Sequence, residues 1–107
     1  MTAQDALGQY RAIQRVTQDM LAAARAGDWE ALVNMEAGRK TALASLMAQP
    51  VDYRAAGLGG DKDACIQSIL AMDREISILT EAWMGEMREM LAAVQSQRKL
   101  EKAYGTT

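Results

Sequence analysis

Residues 61–104 read DKDACIQSILAMDREISILTEAWMGEMREMLAAVQSQRKLEKAY, and the placing of apolar side chains in this stretch decides the fold. They fall at Cys65, Ile69, Met72, Ile76, Leu79, Trp83, Met87, Met90 and Val94, in steps of 4, 3, 4, 3, 4, 4, 3 and 4. That spacing keeps every one of them on a single helix face, in a heptad-like seam. The 4-4 step from Leu79 through Trp83 to Met87 is a stutter, which locally relaxes left-handed supercoiling. No proline interrupts the run, so it predicts one helix of about 65 Å at ~1.5 Å per residue. A second apolar row, Ile66, Leu70, Met84 and Leu91, lies beside the seam and is broken by Asp73, Ser77, Thr80 and Arg88. Gly85 is the weak point, a site for a bend or for close approach of a neighbour. Beyond Val94 the pattern dissolves into the polar QSQRKLEK.

Working back from this helix, residues 3–25 predict a first one, striped by Ala3, Ala6, Tyr10, Ile13, Thr17, Met20 and Ala24, with Val16 and Leu21 at the flanks. Gly27 suits the left-handed residue that ends a helix, after a last turn carrying Arg25. Asp28 then suits the N-cap of a second helix, from Trp29 to Gln49, stopped by Pro50. So short a link makes the two helices antiparallel neighbours. The second helix's seam is Trp29, Leu32, Glu36, Arg39, Leu43 and Leu46. Two readings of its charged centre stand open. Either the seam rotates so that Glu36 and Arg39 both reach water, or they form a partly buried ion pair that sets register. Residues 50–60, PVDYRAAGLGG, predict a flexible hinge with an Asp cap, Asp61 or Asp63, opening the third helix. Its three glycines lack the strand and spacing of a phosphate-binding loop.

The expected class is all-α, an antiparallel bundle of three helices with the third longest, in one domain spanning residues 1–107. Composition agrees: half of the 107 residues are hydrophobic, but Phe is absent and strand formers are scarce. A net charge of −2 gives no bulk attraction to nucleic acid or anionic membrane, and no apolar run is long enough to span a bilayer. The expectation is a cytoplasmic protein with no direct nucleic-acid contact and no membrane insertion. Histidine is absent and Cys65 is the single cysteine. The commonest general base, the commonest metal ligand and the Cys/His dyad are therefore all missing. No catalytic residue, cofactor or metal is expected, and Cys65 reads as a buried structural thiol.

What remains is apolar surface. Neither earlier helix is long enough to cover the whole third one. Its second half is therefore expected to present Trp83, Met84, Met87, Met90 and Leu91, with Ile76 and Leu79 at the inner edge, to a partner. Methionine is flexible and polarisable, suited to surfaces that accept varied partners. Without a client, the same surface, Met84 to Val94, is expected to bury itself in a homodimer.

These features resemble the FliT family of flagellar export chaperones. The residues that carry the resemblance are the junction Ala26-Gly27-Asp28-Trp29 followed by Leu32, Glu36 and Arg39, then Ile69-Leu70 with Asp73 and Ile76, then Lys102-Ala103-Tyr104-Gly105. The resemblance implies a small helical bundle that holds the filament-cap protein ready for export. It further implies contact with the export ATPase complex and, in some members, with the master flagellar transcription activator. Relatives continue past the Ala-Tyr-Gly element into a helix that folds back and regulates partner binding. Here only Thr106 and Thr107 follow, a departure from the family pattern that leaves autoinhibition and transcriptional control by that route open. The reading from a different class is a homodimeric coiled-coil adaptor with no export client.

Overall fold

Thr2 and Asp5 open the first helix reciprocally. The Asp5 amide donates to the Thr2 hydroxyl at 3.1 Å and the Thr2 amide to the Asp5 carboxylate at 3.2 Å, satisfying N–H groups that have no partner inside a helix. Hydrogen bonding to the Asp5 carboxylate by the Thr2 side chain, and then by the Thr2 amide, holds it below its ordinary value. The computed structural model describes residues 1–105, and they form helices α1 (Ala3–Ala26), α2 (Trp29–Met47) and α3 (Gly59–Ala103). Among the described residues there is no strand. The all-α fold with the longest helix last is as the apolar spacing requires.

The α1–α2 junction is built as expected. Gly27 takes φ 72°, its amide donates to the Ala24 carbonyl at 3.2 Å, and the Asp28 amide donates to Ala23 at 2.9 Å. This pair of bonds is the Schellman closure. The Asp28 carboxylate then accepts from the Ala31 amide at 3.2 Å and starts α2.

The second junction differs from expectation. Helix α2 stops at Met47 rather than Gln49, because Pro50 pushes the residue before it out of the helical region. The segment 50–58 is not simply a flexible hinge. Asp52 accepts from the Ala55 amide at 3.0 Å, and the Gly57 and Leu58 amides donate to Arg54 and Tyr53 at 3.0 and 2.8 Å. One helical turn is thus capped at both ends, with Gly57 left-handed at φ 72°. The turn holds Tyr53 buried against Tyr10, ring edge to face at 5.9 Å. It also delivers the chain already aligned for α3, whose first turn begins at the Leu58 carbonyl. Asp61 is therefore an acidic residue within that turn and not its cap.

The described chain divides into two compact units, Met1–Ser77 and one beginning at Ile78, with α3 contributing to both. In the first unit Ala6, Tyr10, Ile13, Leu46, Tyr53, Cys65 and Ile69 form the core, with Leu43, Val51 and Ile66 packed against it. Cys65 is buried, and its thiol donates to the Gln14 side-chain carbonyl at 3.2 Å. Gln14 in turn donates to the Ser68 hydroxyl at 3.0 Å. Further along, Arg25 of α1 meets Glu75 of α3 at 2.5 Å. Pairings with α3 therefore advance in the same order along α1, while α2 runs the opposite way between them.

Arg39 ties the three helices together. Its side chain is 12% exposed. One terminal nitrogen donates to Asp73 of α3 at 2.6 Å and to the Thr17 hydroxyl of α1 at 3.2 Å. The other donates to Glu36 of α2 at 2.8 Å. Thr17 is fully buried and donates its own proton to the Ile13 carbonyl at 2.8 Å. Of the two sequence readings, the partly buried pair is the nearer one, but Glu36 is the rim member at 51% exposure. The inner partner is Asp73, which the sequence had shown as an interruption of an apolar row and a carrier of the resemblance, but not as a partner of Arg39.

In the second unit α3 continues unbroken to Ala103, and Gly105 follows at φ 69°. Gly85 lies within the helix, and a Cβ placed there would meet no described atom within 4 Å. It makes room for no neighbour.

Candidate functional site

The second half of α3 stays helical for local reasons. Alanine, leucine, methionine and glutamate are all good helix formers, and Glu81, Glu86 and Glu89 are interleaved with Arg88 along it. Its apolar residues are positioned by a continuous backbone and not by loops, so their relative placement is set by helical geometry.

The seven residues singled out in the sequence form a gradient. Ile76 belongs to the first unit and is 8% exposed, a core residue more than the rim of a site. Leu79 and Trp83 are partly buried. Met84 and Met87 are exposed at 47% and 39%, and Met90 and Leu91 at 63% and 58%. Val94 continues the same face in water. Four of the seven therefore present a contiguous apolar surface on one helix, and methionine supplies three of them.

The first unit carries two grooves that sequence reasoning missed. One, of about 450 Å³, lies between α1 and α2 and is lined by Ala12, Val16, Met35, Gly38 and Ala42. Small residues on both helices leave its floor open. The other, of about 240 Å³, lies between α2 and the first half of α3, walled by Leu43, Met47, Ile66 and Leu70 with Arg39 and Asp73 at its polar end. Its signal in the sequence was the second apolar row, of which Leu70 is half exposed.

Among the described residues, buried polar chemistry is committed to structure. No buried side-chain nitrogen or oxygen lacks a partner, and no group of three or more Cys, Asp or Glu side chains is placed to hold a metal. Lys62 lies over the Tyr53 ring at 4.5 Å and the Tyr10 ring at 5.9 Å, where a cation is attracted to the ring face. Burial, with Tyr10 adding to it, pushes the Tyr53 phenol above its ordinary value. No described helix is long and apolar enough to cross a membrane.

Fold and surface together define a class: an α-helical protein whose buried polar groups hold its own helices and whose last helix carries exposed apolar side chains. Comparison with known proteins narrows the class. The family described as flagellar protein FliT matches residues 7–106, nearly the whole chain, and the chain belongs to that family of flagellar chaperones. A flagellar protein FliT of Cronobacter sakazakii is 23% identical over 99 residues, covering 92% of this chain and 82% of the relative. No solved structure matches the chain.

Proposed function

We propose that this chain is a cytoplasmic export chaperone for the flagellar filament-cap protein. In this reading it receives an amphipathic helix of that client on the exposed face of α3 and passes it to the export ATPase complex. The observation that carries the reading is the row Met84, Met87, Met90 and Leu91, each between 39% and 63% exposed on one uninterrupted helix. Apolar surface of this kind stabilises a complex by about 25 cal/mol per Å² removed from water, and an amphipathic helix laid along it would meet anchors at three- and four-residue spacing. Leu79 and Trp83, half-buried at the inner end of the row, would give it a firm boundary. Trp83 is the largest side chain there and the best candidate for a dominant anchor.

The test is calorimetric titration of a C-terminal cap-protein fragment into the wild type and into Met87→Glu and Met90→Glu. Loss of binding in both variants, with helicity unchanged, is the expected result. Wild-type affinity in both variants overturns the assignment of this face.

A further inference from the structure

We infer that the groove between α1 and α2 docks a basic amphipathic helix of a partner protein, at a site separate from the exposed face of α3. Its walls are two regular stripes. On α2, Ala31, Met35, Gly38, Ala42 and Ser45 follow one another in steps of 4, 3, 4 and 3, the spacing of a helix-packing seam. None of the five is buried. They lie on a different face from Leu32 and Leu46, the residues that α2 does bury. Helix α2 thus has two faces suited to packing, and only the one carrying Leu32 and Leu46 is covered. On α1, Gln9, Ala12 and Val16 keep the same rhythm and also lie outside the core.

The floor allows close approach. A Cβ built on Gly38 would meet no described atom within 4 Å, and Ala12 and Ala42 line the same groove. Gly38 is not one of the left-handed glycines. Its backbone is ordinary helix, which glycine only weakens. Here it leaves open a groove of about 450 Å³ whose lining includes no residue of α3. Packed helix axes lie about 8–10 Å apart, and small side chains on both walls let a third helix reach that distance from α1 and α2 at once.

Charge selects the occupant. The α1 stripe continues one step past the groove at each end, to Asp5 before Gln9 and to Asp19 after Val16, both exposed. At ~1.5 Å per residue these carboxylates stand about 20 Å apart. Asp5 accepts from the Thr2 amide, and a carboxylate retains further acceptor sites. Neither stripe contains a base: Arg11 and Arg15 fall on another face of α1, and Lys40 on another face of α2. Arg39 reaches the groove wall, but its terminal nitrogens are committed to Thr17, Glu36 and Asp73. A helix with an apolar ridge of about two turns and a lysine or arginine beyond each end matches both the floor and the ends. An acidic helix would set like charges together at both ends.

Two synthetic helical peptides of about 20 residues, roughly 30 Å long, test the proposal by calorimetric titration. Both carry leucines at three- and four-residue spacing. One has a lysine beyond each end of the leucine ridge, and the other has glutamates there. The lysine peptide should bind about tenfold more tightly. Asp19→Lys, at an exposed position, should narrow or reverse that preference. Gly38→Leu fills the floor and should abolish binding without lowering the melting temperature, since its side chain enters open space on a helical backbone. Met87→Glu should bind the lysine peptide as the wild type does. Equal affinity for the two peptides, no binding of either, or wild-type affinity in Gly38→Leu overturns the proposal. Loss of peptide binding in Met87→Glu also overturns it, by moving the peptide to α3. Failure here leaves the client reading untouched, because that reading is tested with the cap-protein fragment on α3.

Discussion

Residues 65–76 and 79–94 of α3 repeat one apolar spacing and end in different environments. In the first stretch Cys65, Ile69 and Ile76 are buried, and three adjoining polar side chains reach other helices: Ser68 to Gln14, Asp73 to Arg39, Glu75 to Arg25. In the second, Met87, Met90 and Val94 are exposed, and the charges around them are exposed as well. The same seam thus runs from a buried stretch into an exposed one, and burial rather than spacing distinguishes the two.

The contrast breaks most sharply under a charge placed in the seam. Ile69→Glu buries a carboxylate in the core, at a cost of several kcal/mol per ion against a typical total stability of about 5–15 kcal/mol. The chain is expected to lose its cooperative thermal transition. Met90→Glu, at a position 63% exposed, should leave the melting temperature nearly unchanged. If both variants melt like the wild type, the two stretches do not differ as described.

Next in size is the Arg39 network. Asp73→Ala leaves a guanidinium that is 12% exposed without its inner partner. The loss expected is about 2–3 kcal/mol, below the roughly 3–5 kcal/mol of a fully buried pair because Asp73 is itself 34% exposed. Glu36→Ala removes a rim partner and should cost about 0.2–1 kcal/mol. Urea titrations of both variants, and of Arg39→Leu with Asp73→Leu combined, check the order. Equal losses at Glu36 and Asp73 would place both on the rim.

Much of this division was legible in the sequence. The unbroken seam, the Gly27-Asp28 junction and the Arg39 position in the α2 stripe are local patterns, and local geometry alone sets them. Asp73 as the inner partner of Arg39 was not legible, since its meaning depends on which residue of another helix lies across from it. Tyr53 was missed for a related reason. It sits in a glycine-rich segment that composition marks as loose, and only the Asp52 and Gly57 caps reveal a structured turn. The groove between α1 and α2 arises where the small residues Ala12, Gly38 and Ala42 of two helices come together, and no single stripe shows that. Ile76 was placed one turn too far outward, because periodicity says which face a residue is on but not where its cover ends.

A smaller effect sharpens the contrast between structured and loose segments. Gly27→Ala puts a Cβ on a left-handed residue and should cost about 1–2 kcal/mol, seen as a lower urea midpoint. Gly85→Ala has open space and a helical backbone, and should stabilise by about 0.5–1 kcal/mol. The smallest expected effect is at high pH. The raised Tyr53 phenol favours the folded state while it is protonated. That contribution is complete below the ordinary phenol value near ~10 and is lost as pH climbs through the higher folded value. Melting temperature measured against pH should fall less steeply above that point in Tyr53→Phe than in the wild type.

The Arg39 contacts carry a consequence for handedness. Three helices joined by short links can wind with the third to the left or to the right of the first two, and greasy stripes are nearly indifferent between these mirror arrangements. A guanidinium is not. Its fixed fork, donating at once to Thr17, Glu36 and Asp73, fits one winding, and in the other its carboxylate on α3 would face away. A single arginine thereby adds an orientation requirement to the capped 50–58 turn, which already aligns α3.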